Sequence, residues 1–181
     1  PAGPPGRGVG VFEGPRGRKV QVVPVMGRLF MDPLDCPFAA VERELRKIRL
    51  GAGGVEAIIV DVHAEATSEK MALGHVCDGR ASLVVGGHSH VPTADAQIFP
   101  GGTAYQTDAG MCGDYNSVIG MRKEAAIAKF VRKIPGERLS PADGDGTLCG
   151  VFVETDDRSG LALRVAPLRL GARLAETWPE G

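Results

Sequence analysis

Apolar and polar positions change period several times along the chain, and each change predicts an element. Lys19–Val25 alternates and is rich in β-branched residues (Val20, Val22, Val23, Val25), which predicts a strand with Pro24 at its end or on an edge. Phe38, Val41, Leu45 and Ile48 recur at i, i+3, i+7 and i+10. That spacing lies on one face of a helix over about Pro37–Arg49, stopped by Gly51, Gly53 and Gly54. Ala57–Val62 is a near-continuous apolar run, the pattern of a strand buried on both faces, and Ala81–Val85 repeats it before Gly86-Gly87. Between the two, a helix is expected through about Val76, with Thr67 or Ser68 as its cap. Short extended pieces near Gln97–Phe99 and Thr103–Thr107 flank a Pro100-Gly101-Gly102 turn, and a helix follows over Lys123–Arg132. Two last strands, Thr147–Thr155 and Leu161–Leu170, are joined by Asp156-Asp157-Arg158-Ser159-Gly160, which has hairpin turn chemistry. Strands and helices alternate in the middle and strands dominate the end, so the expected class is α/β, layered, with a mixed sheet.

Composition narrows this picture without redirecting it. The 181 residues suffice for one domain with a real core. A formal net charge of −1 argues against a polyanion-binding surface or a basic membrane-facing patch. The apolar runs are too short for a membrane span, and no leader opens the chain, so no membrane contact and a cytoplasmic location are expected. Cys36, Cys77, Cys112 and Cys149 show no paired spacing, which fits reduced structural thiols. Residues 1–18 read as an irregular, Pro/Gly-rich opening with a short extended piece at Gly8–Phe12, as though cut from a longer chain. Strands missing from such a domain expose apolar edges, and association into oligomers is expected.

The chemistry gathers at the strand ends. Of four histidines, His63 follows one buried run and His88 and His90 follow the other. Carboxyl ends of strands form the ligand crevice of open α/β sheets. An H-x-H pair on extended backbone points both rings one way, and imidazole nitrogen is a donor for first-row divalent ions. Asp61 and Glu65 bracket His63, and either can hold its outer ring N–H. The alternative is that these are polar strand-end residues satisfied by nearby carboxylates. His75 has no partner motif and reads as structural.

Gly87-His88-Ser89-His90 matches the terminal G-H-x-H motif of calcineurin-like metallophosphoesterases. Together with Asp61–Lys70, Asp78–Ser82, Thr93–Asp95 and Thr107–Met111, it resembles the bacterial YmdB-type phosphodiesterases over nearly the whole chain. The resemblance implies an α/β/β/α metallophosphoesterase-like sandwich and hydrolysis of 2′,3′-cyclic nucleotides or related phosphodiesters, small molecules or RNA-derived. Two divalent transition metals (iron, manganese or zinc) would serve the reaction, with His63 and His88 on one and His90 on the other. Ser89 stands where the family more often has threonine.

The family's N-terminal aspartate, Glu-Asn pair and Asn-His pair have no counterpart, and Asn116 is the one asparagine. The chain thus resembles the C-terminal two-thirds of such a domain, lacking the bridging carboxylate and the general acid. No catalytic residue is assigned within it, and alone it is expected to hold at most one ion weakly. Thr67 and Asp108 are candidate substrate contacts, though capping explains Thr67 as well and a plain turn explains Asp108–Asp114. Arg80 is an anion contact or a surface residue. Two other readings stay open: a non-catalytic binding or regulatory module, and a phosphomonoesterase or nuclease of the same superfamily.

Overall fold

The buried apolar runs pair side by side, in parallel. In the computed structural model, which describes residues 6, 8–133, 136–171 and 173–179, the runs become β2 (Lys19–Met26), β3 (Ala57–His63) and β4 (Leu83–Gly87). Their registers include Val22↔Ile59 and Ile59↔Leu83. β6 (Ala104–Gln106) continues the parallel set beside β4. β1 (Gly10–Glu13) and β5 (Gln97–Ile98) add antiparallel edges, giving the order β1-β2-β3-β4-β6-β5. The sheet is mixed, as the pattern implied. β1 pairs with β2 only as far as Val22, so Pro24 lies where β2 is an edge on that side and no ladder bond is lost.

α1 (Pro37–Leu45) and α2 (Thr67–Cys77) cover one face of the sheet. There Val23, Val41, Ile58, Val60, Val62, Leu73, Val84 and Tyr105 form the main core, and burying each large apolar side chain is worth about 1.5–3 kcal/mol. The hairpin of β7 (Thr147–Thr155) and β8 (Ala162–Gly171) covers the other face, packing Val151, Val153 and Val165 near Ile59, Leu83 and Val85. Coverage by two layers explains the apolar continuity of β3 and β4. The hairpin's cover stops short of the carboxyl ends, and Asp61 and His63, further along the same face as Ile59, stay exposed. Leu148, Phe152 and Leu163 remain open on the hairpin's outer face, and α3 (Lys123–Arg132) does not pack broadly against it.

Two local expectations are corrected. α1 ends at Leu45, before Arg49, because the chain must turn to let Val55 N–H reach Arg49 O. A Cβ on Gly54 would overlap that same carbonyl, which explains the glycine. Ile48 still packs on the core from the turn. The cap of α2 is Ala66, with no side-chain hydrogen bond, so Thr67 and Ser68 sit in its first turn, with Ser68 exposed and Thr67 at its open start. The short extended piece expected at Gly8–Phe12 is β1, followed by a single 3-10 turn (Pro15–Gly17), while residues 1–5 and 7 lie outside those described.

Candidate active site

β3 and β4 end in register at His63 and Gly87, and the chain then rises through His88-Ser89-His90. Gly86 is required there, because a Cβ would overlap the Thr107 carbonyl oxygen of the segment after β6. Gly87 is different: a Cβ would meet nothing, so it leaves open space beside its register partner His63. His88 and His90 do not sit on extended backbone. Their φ values are +95° and +67°, a left-handed region that costs of order 1–3 kcal/mol per non-glycine residue and persists only where surroundings enforce it.

Two buried side chains do the enforcing. Lys70 on α2 and Asp108 after β6 have side chains 3% and 2% exposed. Lys70 Nζ donates to Gly87 O at 2.6 Å and lies 3.5 Å from Asp108 Oδ2. Asp108 Oδ2 accepts from Ser89 N (2.8 Å) and Ser89 Oγ (2.7 Å), and Oδ1 accepts from Gly110 N (2.9 Å). The carboxylate of Asp108 is therefore turned into the loop, where it organises backbone and cannot reach a ligand in solvent. Glu69, on α2 beside Lys70, does the same for the loop after β2, accepting from Arg28 N and Leu29 N at 3.0 and 3.2 Å.

The imidazoles take specific partners. His88 Nδ1 lies 3.1 Å from His63 Nε2, with the rings edge to face at 4.9 Å between centroids. His88 Nε2 meets Glu65 Oε2 at 2.7 Å, so Glu65 holds His88 where His63 had been expected. His90 Nδ1 donates to Ile119 O at 2.8 Å. Ile119 is 56% exposed with φ +48°, at the tip of a turn closed by mutual Val118 and Met121 hydrogen bonds. A β-branched residue is a poor occupant of that conformation.

The spacing of the His63–His88 pair is that of an N–H···N hydrogen bond and is also compatible with two nitrogens on one divalent ion. Two nitrogens bound to one ion at ~2.0–2.1 Å each are roughly 2.9–3.4 Å apart, and the His63–His88 separation of 3.1 Å falls in that window. Glu65 and the Ile119 carbonyl each take the outer N–H of a histidine, leaving His88 Nδ1 and His90 Nε2 as lone-pair donors. Among the described residues, no group of three or more His, Cys, Asp or Glu converges as a complete site. Sequence reasoning missed Lys70, Glu69 and the Ile119 carbonyl. Lys70 had a readable signal, because it shares the buried face of α2 with Leu73, Gly74 and Cys77 at i, i+3, i+4 and i+7.

This α/β arrangement recurs in solved structures, one of them a phosphatase. The crystal structure of a novel phosphatase from Mycoplasma pneumoniae superposes with a TM-score of 0.79 at 34% identity, covering 92% of this chain and 58% of that one. A hypothetical protein from Thermus thermophilus superposes with a TM-score of 0.84 at 42% identity, covering 96% of this chain and 65% of that one. Residues 1–168 match the YmdB-like protein family, and the chain belongs to it. The 2′,3′-cyclic-nucleotide 2′-phosphodiesterase of Bacillus subtilis (strain 168) is 43% identical over 165 residues, 91% of this chain and 61% of that protein. The chain spans about three-fifths of that relative's length.

Proposed function

We propose that this chain supplies the imidazole ligands of a two-metal centre hydrolysing 2′,3′-cyclic nucleotides or related phosphodiesters. The bridging carboxylate and general acid would come from outside these 181 residues. The observation that carries the reading is the His63–His88 pair, with nitrogens 3.1 Å apart and the outer nitrogen of His88 on Glu65. His63 and His88 would hold one ion and His90 Nε2 the other. Nitrogen ligation accommodates iron, manganese or zinc.

When bound, such ions supply Lewis-acid charge stabilisation at the phosphoryl oxygens and an activated water. The chain's own residues do the positioning. Glu65 and the Ile119 carbonyl set the histidine tautomers; Lys70 and Asp108 hold the loop that carries two of the rings. Thr67 and Ser68, at the start of α2, are available to a phosphate oxygen. The kinship with the Bacillus enzyme supports the substrate class. Four free cysteines support a reducing, cytoplasmic setting, and no helix among the described residues is long and apolar enough to cross a membrane.

The test is turnover of 2′,3′-cyclic AMP and bis(p-nitrophenyl) phosphate by a protein extended through the upstream gene sequence and loaded with manganese, iron(II) or zinc. We expect hydrolysis, reduced roughly a hundredfold or more by His88→Ala. No turnover with any of the three metals would overturn the reading. A second reading, a binding module without the reaction, is favoured by the lack of a converged metal group among the described residues. It predicts nucleotide binding with no turnover in that same assay.

A further inference from the structure

We propose that a hollow beside His90 is a nucleobase subsite, an inference that rests on the phosphodiesterase reading above. Val91, Pro92, Tyr115, Arg169, Leu174 and Ala175 line an open hollow of about 330 Å³. That size is at the small end for ligand sites, which combine apolar walls with a few fixed polar groups. Its lining begins with Val91, next in the chain to His90, which places the hollow beside the loop that carries the histidines.

The walls are held in place. Val91 is 50% exposed, yet its backbone N–H donates to Ser89 Oγ (3.4 Å), and Thr93 N donates to Asp108 O (3.0 Å) just beyond. Tyr115 cannot swing away, because its hydroxyl accepts from Met111 N and donates to Met111 O, both at 3.1 Å. Arg169 is pinned by Nε to Ala175 O (3.1 Å) and Nη2 to Thr177 Oγ1 (2.7 Å), which leaves Nη1 without a partner among the described residues. A guanidinium only donates. Fixed apolar and aromatic walls with one donor suit a flat heteroaromatic ring whose edge carries acceptors, and guanine presents two, O6 and N7.

Titration of guanosine and adenosine into the 181-residue chain, followed by NMR, tests the subsite without phosphate or metal. We expect guanosine to shift Val91, Tyr115 and Leu174 resonances and to bind more tightly than adenosine. Leu174→Glu should weaken binding on the order of tenfold, and Arg169→Met should remove the preference for guanosine. In the metal-loaded longer protein, Leu174→Glu should raise KM for 2′,3′-cyclic GMP by a similar factor with kcat unchanged. Turnover of base-free ribose 2′,3′-cyclic phosphate should be unaffected. No guanosine binding, or equal losses on both substrates, would overturn the subsite while leaving the phosphodiesterase reading intact. Guanosine bound at this hollow in a protein that hydrolyses neither substrate would sustain the subsite and remove the phosphodiesterase reading.

Discussion

Replacing Asp108 by Asn keeps the side chain's shape, removes its charge and turns one acceptor into a donor. In the native loop Oδ2 accepts from Ser89 N and Ser89 Oγ while Oδ1 accepts from Gly110 N. An amide oxygen can serve only one of these sides. If it faces Ser89, the amide NH₂ confronts the Gly110 N–H; if it faces Gly110, the NH₂ confronts Ser89 N–H and the Lys70 ammonium. The milder orientation loses a hydrogen bond to a charged group, about 1.5–3 kcal/mol, and leaves Lys70, 3% exposed, without its counter-charge. Breaking a buried pair by removing one partner costs about 3–5 kcal/mol, and we take that range for Asp108→Asn. This is a large fraction of the roughly 5–15 kcal/mol that holds a typical domain folded. Urea unfolding measures the loss, with an unchanged slope showing that stability moved and the denatured state did not. Amide exchange over residues 86–92 should rise before global unfolding, because the loop at His88 and His90 is the part Asp108 restrains. A loss under ~1 kcal/mol, or unaltered exchange there, would refute the argument that this carboxylate enforces the left-handed histidines.

Two further outcomes follow from the same geometry. Gly86→Ala should destabilise by several kcal/mol, because its Cβ overlaps the Thr107 carbonyl, whereas Gly87→Ala should stay within about 0.5 kcal/mol in the same thermal or urea unfolding assay, since nothing lies near. Equal effects would show that the strand end is not packed as described. For Asp95, burial pushes the carboxyl up, but hydrogen bonds from Thr107 Oγ1, the Thr93 side chain and Thr107 N outweigh it and hold the group below the ordinary carboxylate range. A depressed folded pKa contributes stability above the unfolded value of about 3.9, and that contribution is lost as pH falls through the lower folded value. Asp95→Asn should therefore be less stable than the parent at pH 7, with the gap closing below about pH 4 in urea melts across pH. A gap that does not depend on pH would contradict the assignment.

Much of the fold was legible because local signals agreed with tertiary demands. α3 and β7 fall on the residues that the pattern marked, Lys123–Arg132 and Thr147–Thr155. α1 was overextended because periodicity reports which residues face the core, not whether they do so from a helix: Ile48 packs inward from a turn. The site was half legible. Strand ends located the three histidines, since buried runs reveal where the cover stops. Their orientation was not readable, because the sign of φ at His88 and His90 is imposed by Lys70 and Asp108, which lie far from them in sequence on α2 and after β6. Glu65 is a near neighbour of His63 along the chain but pairs with His88, a contact that only the parallel register of β3 and β4 creates.

Calorimetric titration of zinc or manganese into the 181-residue chain shows whether these imidazoles are metal ligands. We expect one ion bound weakly per chain, with affinity falling tenfold or more in His63→Ala and His88→Ala, and roughly tenfold in Glu65→Gln, which frees the His88 ring. Binding that is absent, or that survives unchanged in all three variants, would contradict it.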